Sequence, residues 1–234
     1  MRVLIGIQAR SGSTRLHRKA FELIAGKTML DRVIEQCKRA ASYLNKTSAS
    51  TRVDVAVLVP YKDPILGTFG DRCAFIEGPE QDVLERYRLA AANFDADLIV
   101  RITGDCPLIP PTIISKSVKI AIANKYDYVS NVDPRFRTYL DGADCEVISA
   151  ALLRHTADEA IDALDREHVT TWIRRNPPEW ARVGAVMGAF DHSEVKLSVD
   201  TEDDLARVRL ACETFENKHR SAVHSYGQKA VHIV

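Results

Sequence analysis

The 234-residue chain has no charge bias, since Lys plus Arg and Asp plus Glu both number 32. A general nucleic-acid binder carries a basic excess, so that class is set aside, and a local cluster of cations has to be a site or ordinary solvated surface. No apolar run approaches the ~20 residues that cross a bilayer. The opening MRVLIGIQAR holds too short an apolar stretch for a secretory leader. A cytoplasmic protein with neither membrane nor nucleic-acid partner is expected. Cysteine is sparse: Cys37, Cys73, Cys106, Cys145 and Cys212 are odd in number, scattered, and form no C-x-x-C. That pattern supports neither a disulfide framework nor a zinc site, and it suits reduced thiols. Internal repeats, low-complexity linkers and the G-x-x-x-x-G-K-[ST] phosphate loop are missing as well. What remains is ordinary globular composition, 46% hydrophobic and 27% charged, with enough residues to bury a sizeable core.

Short β-branched runs alternate with helical periodicities. VLIGI (3–7), VDVAVLV (53–59), AFIEG (74–78) and DLIVRI (97–102) read as strands. Between them, MLDRVIEQCKRA (29–40) sets Met29, Leu30, Val33, Ile34 and Cys37 on one helical stripe. DVLERYRLAAANF (82–94) does the same with Val83, Leu84, Tyr87 and Ala91. Such alternation predicts right-handed βαβ units, hence an α/β fold with a mostly parallel, doubly wound sheet. In the second half, 126–131, 144–149, 181–187 and 195–200 are expected strands, with Val195, Leu197 and Val199 facing one way. The stretch 165–177 is an expected helix stopped by Pro177 and Pro178. Thr201 and Asp204 form a capping-box-like start for a helix over 202–216, with Leu205, Val208, Cys212 and Phe215 as its buried stripe. No composition shift marks a boundary, so residues 1–218 are expected to form one domain, followed at 219–234 by a tail or an added edge strand.

Two segments follow strands directly and should share one edge of the sheet, where doubly wound folds bind ligands. The first is IQARSGSTRLHRKAF (7–21), a small-residue turn with Arg10, Arg15, Arg18 and Lys19. Backbone N–H groups of a Gly-Ser-Thr turn can approach an anion, which guanidinium and ammonium groups neutralise. A solvated basic loop is the competing reading. The second is TGDCP (103–107), where Asp105 is either a metal-ligating carboxylate or a turn residue before Pro107.

IQARSGSTRLHRKAF, AGKTMLDRVIEQCKRA, GPEQDVLERYRLAA, VRITGDCPLIPP, YVSN, DREHVTTWIRRNP and LSVDTEDDL occur in this order. Together, over roughly residues 3 to 215, they resemble the cytidylyltransferase family. The nearest branch is the one named for spore-coat polysaccharide biosynthesis, related to the synthetases of CMP-activated acidic sugars. The resemblance implies a Rossmann-like nucleotide-diphospho-sugar transferase fold. It also implies the reaction of CTP with a hydroxyl of an acidic sugar, or a related polyol or hydroxy acid, giving a CMP-sugar and pyrophosphate for cell-surface polysaccharide. Arg10, Arg15 and Lys19 match the cationic positions of the family loop A-R-x-G-S-x-R-L-P-G-K and, with Asp105, carry the implied catalytic role. His17 and Arg18 stand where the family has Pro-Gly.

By the same resemblance, Asp105 and Asp200 would hold Mg²⁺, which takes one or two carboxylates together with phosphate oxygens and water. Ala9, Gly12, Ser13, Gly78, Gln81, Asp82 and Arg86 would meet the nucleotide. Asn131, Asp144, Glu146, Arg166 and His168 would lie near the acceptor, with His168 either a general base or an ordinary helix residue. Pro60 and Tyr61 replace the family's small-residue turn after the second strand. A homodimer is implied, with the irregular strands between 126 and 150 as its interface. Two other classes stay open: a glycosyltransferase using a nucleotide-sugar donor, and a non-catalytic nucleotide-binding protein.

Overall fold

In a computed structural model, which describes residues 1–13 and 15–214, the first strand β1 (Arg2–Gln8) has five consecutive buried residues. A strand buried on both faces needs helices on both sides, and the side-chain alternation shows them. Val3, Ile5 and Ile7 enter one apolar cluster, while Leu4 enters a second on the opposite face. The first cluster is covered by α1 (Met29–Thr47) and α4 (Pro111–Asn124), the second by α3 (Val83–Asn93) and α5 (Ala150–Glu159). Every residue of the two stripes read from the sequence in α1 and α3 is buried. Helix α1 starts at Thr28, whose hydroxyl accepts from the Asp31 N–H at 3.2 Å; such a cap contributes about 1 kcal/mol.

The remaining strands are β2 (Leu23–Ile24), β3 (Lys27–Thr28), β4 (Arg52–Pro60), β5 (Ala74–Gly78), β6 (Leu98–Thr103), β7 (Tyr128–Ser130), β8 (Glu146–Ser149) and β9 (Val183–Ala185). Strands β2 and β3 form a small antiparallel hairpin. The other seven make one sheet in the order β5-β4-β1-β6-β8-β7-β9. Only β8 runs against its neighbours β6 and β7, so the sheet is mostly parallel, as expected. Strand β1 lies between β4 and β6, parallel to both, and its end carries the basic loop beside the end of β6. Short α2 (Pro64–Phe69) follows β4. Among the described residues no helix is long and apolar enough to cross a membrane.

Two expectations need correction. The helix expected over 165–177 is broken into α6 (Ala163–His168) and α7 (Thr171–Arg175), because Val169 takes φ 65°, ψ −53°. The segment 195–200 is no strand: it makes one isolated parallel bridge, Asp141 to Lys196, and Val195 is exposed while Val199 is buried. Gly142 explains this. At φ +110° its place for a Cβ lies 2.6 Å from the Leu197 carbonyl carbon, so the chain runs loop against loop where only glycine fits. Helix α8 (202–214) begins after Asp200, with Thr201 Oγ1 accepting from the Asp204 N–H at 3.3 Å. Leu205, Val208 and Cys212 are buried as expected. Phe215 and the expected tail at 219–234 lie outside the described residues.

Candidate active site

The basic loop is tied down at both ends. Ser11 donates its N–H and hydroxyl to Asp63 Oδ2 at 2.9 and 3.2 Å, while Asp63 Oδ1 accepts from the Ile65 N–H at the start of α2. Further along, Leu16 is buried in a third cluster with Ile24, Met29, Val199, Leu205 and Val208. That cluster joins the loop, the β2–β3 hairpin and the entry to α8, and so brings residues from opposite ends of the chain together. Arg18 replaces the family's glycine yet takes the left-handed conformation, φ 51°, ψ 33°. Such a backbone costs a non-glycine residue roughly 1–2 kcal/mol. The guanidinium lying 4.6 Å over the Phe21 ring offsets part of it.

A cavity of about 330 Å³ opens at the ends of β1 and β6. From the loop come Ala9, Arg10, Ser13, Arg15 and Lys19; opposite them stand Arg86, Asp105, His168 and Asp200. The Lys19 ammonium is the centre of the arrangement. It donates to Asp105 Oδ2 at 3.0 Å and to the Val199 carbonyl at 2.8 Å, and it lies 3.5 Å from Asp200 Oδ1. Arg15 reaches the same Asp200 oxygen at 2.8 Å. The two aspartates, 95 positions apart in the sequence, thus meet around one cation. Burial pushes the Asp105 carboxyl up, but the charge of Lys19, with hydrogen bonds from Thr103 and Lys19, outweighs it and holds the group below the usual carboxylate range. Asp200 is fixed from behind by Lys196 at 3.4 Å, which also bonds Asp204 at 2.8 Å.

The floor of the cavity holds a residue that motif reading passed over. Arg101 interrupts the apolar strand LIVRIT, and by alternation it shares a face with Thr103 and, beyond the strand end, Asp105; all three line the cavity. Its guanidinium donates to Gln8 Oε1 at 3.1 Å and to Glu146 Oε2 at 2.5 Å. Tyr128 donates to the other Glu146 oxygen at 2.5 Å. Burial would raise the Glu146 carboxyl, and Arg101 with Tyr128 holds it low. The charged residue inside an otherwise apolar strand was the available signal.

Other expected site residues hold structural bonds. Asp82 accepts from the Glu85 N–H at 2.9 Å, capping α3, and pairs with Arg166 at 2.6 Å. Arg166 also donates to the Ala157 and Ala160 carbonyls. Asn131 clasps Ala143 and Cys145 through their backbone, both at 2.8 Å. Asp144 is pushed up to about 6 by burial, which its 2.8 Å partner Arg137 only partly opposes. Gly78 is buried where a Cβ would stand 2.6 Å from Arg86 Cγ, so it admits the Arg86 side chain to the Leu58 and Ala9 carbonyls. The Arg86 Nε is buried without a partner. Gly12, Gln81 and Tyr61 are exposed and take no part in the cavity lining.

Asp105 and Asp200 offer hard oxygen donors, and among the described residues no set of three His, Cys, Asp or Glu could close a metal cage. Two carboxylates beside a cationic anion cradle fit a divalent ion that arrives with phosphate oxygens and water.

A basic loop after the first strand of a mostly parallel sheet, with a carboxylate after the neighbouring strand, defines a nucleotidyltransferase-type α/β protein. The cytidylyltransferase family profile matches residues 4–229, and the chain belongs to that family. It is similar to the spore coat polysaccharide biosynthesis protein SpsF of Bacillus subtilis, 26% identical over 88% of this chain and 85% of that one. It is also similar to a 3-deoxy-manno-octulosonate cytidylyltransferase of Rickettsia conorii, 27% identical over 92% and 96%. Among solved structures, a cytidylyltransferase from Leptospira borgpetersenii superposes with a TM-score of 0.80, at 26% identity, over 94% of this chain and 96% of that one.

Proposed function

We propose that this protein transfers the cytidylyl group of CTP to a hydroxyl of an acidic sugar or a related polyhydroxylated acid, giving a CMP-sugar and pyrophosphate. The observation that carries the reading is the meeting of Arg10, Arg15 and Lys19 with Asp105 and Asp200 on one cavity. Family membership supports CTP as the nucleotide. The relatives named for 3-deoxy-manno-octulosonate and for spore-coat polysaccharide support the acceptor class.

In this mechanism Arg10 and Arg15 neutralise the phosphates, and Lys19 turns from the carboxylates to the triphosphate as it binds. Asp105 and Asp200 would hold a divalent ion, Mg²⁺ by its preference for carboxylate and phosphate oxygen. That ion, when bound, supplies charge neutralisation at the α-phosphate. Arg101 and Arg86 brace the cavity wall, and His168, exposed on the same lining, is the side chain offered to the acceptor. Positioning and electrostatics do the rest, as in phosphoryl transfer generally. A cytoplasmic homodimer is the assembly proposed; the free thiols at Cys37, Cys73, Cys106 and Cys145 support the compartment.

The test is calorimetric titration with CTP, UTP, GTP, ATP and UDP- and GDP-sugars in Mg²⁺, followed by pyrophosphate release with a panel of acidic sugars. Preference for CTP and release with at least one acceptor are expected. Preference for a UDP- or GDP-sugar would make it a glycosyltransferase, and CTP binding without release from any acceptor would make it a nucleotide-binding protein.

A further inference from the structure

Between α6 and α7 the Thr170 N–H donates to the His168 carbonyl at 2.6 Å across Val169, which has φ 65°, ψ −53°. This is the γ-turn with positive central φ, rare and strained in any L-residue, and positive φ is a true outlier in a β-branched one. The conformation is over-determined by its surroundings. Val169 is fully buried in the second cluster, which also holds Leu84, Tyr87 and Ile173. Its N–H donates to the Asp165 carbonyl at 2.9 Å, and the buried Asp165 carboxylate takes the Thr171 hydroxyl at 2.6 Å and Arg175 at 2.7 Å. On the other side, Arg166 is pinned to Asp82. Residues 165, 166 and 169 are thus all anchored.

The two residues between these anchors are different. Glu167 and His168 line the cavity, and their side chains make no hydrogen bond or ion pair among the described residues. A carboxylate and an imidazole lining one cavity, both with open acceptor atoms, suit a molecule with several hydroxyl donors. Strained backbone persists where surroundings enforce it, and it concentrates at sites that use the geometry. We propose that the strained turn at Val169 is a positioning device that presents Glu167 and His168 to the hydroxyl groups of a polyhydroxylated acceptor. The proposal rests on the function proposed above.

Val169→Gly frees the turn, since glycine adopts either sign of φ. In the pyrophosphate-release assay with 3-deoxy-manno-octulosonate and related polyhydroxy acids, kcat/KM for the acceptor should fall on the order of 10- to 100-fold, as misplaced contact groups do. The KM for CTP should stay unchanged. Ile173→Val, which loosens the same apolar cluster, controls for lost packing and should change neither value. Glu167→Gln and His168→Asn should each weaken acceptor binding, and Val169→Gly should add nothing further when the two are combined. A fall in CTP and acceptor affinity together, or an equal effect from Ile173→Val, would overturn the proposal.

The imidazole resonance of His168 separates failure here from failure of the cytidylyl-transfer reading. It is followed in the Mg²⁺–CTP complex as each acid is added. A shift seen in the wild type and lost in Val169→Gly supports the positioning role even without turnover. Pyrophosphate release with no shift from any productive acceptor overturns this inference and leaves the function standing. Neither release nor shift overturns both.

Discussion

Replacing Lys19 by methionine tests the centre of the site without emptying its volume. The ammonium lies 3.0 Å from Asp105 and 3.5 Å from Asp200. At an effective dielectric of about 20, each contact carries roughly 5 kcal/mol of raw attraction, most of it cancelled by desolvation. Removing one partner of a buried pair costs about 3–5 kcal/mol. Here the carboxylates retain 28% and 22% side-chain exposure, and Arg15 and Lys196 stay on Asp200. A loss of about 2–3 kcal/mol at neutral pH is therefore expected.

The loss should also depend on pH with a definite sign. In the wild type the Asp105 carboxyl is lowered from its ordinary value near 3.8. It thus contributes stability present above that value and lost as pH falls through the lowered one. Without Lys19, burial dominates and raises the same carboxyl, so the variant loses stability as pH rises through the raised value. The deficit should vanish only well below about pH 4, already include the wild type's lost contribution near pH 4, and grow to its full size by about pH 7, measured by thermal unfolding across that range. Adding Asp105→Asn to Lys19→Met should restore part of the neutral-pH stability. A deficit independent of pH, or a further loss from Asp105→Asn, would refute the account. Turnover should drop about 10²–10³-fold, in line with the loss of one preorganised charge at a reacting phosphate.

Two further outcomes follow from the buried charges. Arg101→Met strands Glu146, which is 1% exposed, and should cost about 3–5 kcal/mol in urea unfolding, part of it regained by adding Glu146→Gln. Asp144, raised to about 6 by burial, contributes stability present below its ordinary value and lost as pH rises through 6. Asp144→Asn lacks that loss, so its stability relative to wild type should grow between about pH 4 and pH 6, by at most about 3 kcal/mol. A flat difference in thermal unfolding over that window would contradict the reading.

Strands with both faces buried and helices with one apolar stripe announce themselves by period, which is why β1, β4, β6, α1 and α3 were legible from the chain alone. The order of strands and helices was enough to put the basic loop and TGDCP on one edge, because parallel crossovers leave no other choice. Short elements carry too few residues to show a period, so the division at Val169 and the loop-against-loop run at Gly142 were not legible. Their causes are contacts with residues distant in sequence. Asp82, Arg166 and Asn131 illustrate the same limit at the site: a polar residue in a motif can serve a ligand or a neighbour, and only the fold supplies the neighbour.

The sequence by itself determined the residue types at the cavity and the edge of the sheet on which they stand, since these depend on local period and chain order. Tertiary structure alone decided that Lys19 joins Asp105 to Asp200, that Arg101 rests on Glu146, and that Glu167 and His168 are left with open atoms. The Lys19 pairing depends on the cluster that joins Leu16 to Val199 and Leu205, and the Arg101–Glu146 pairing on the register of β6 against β8; no local pattern encodes either.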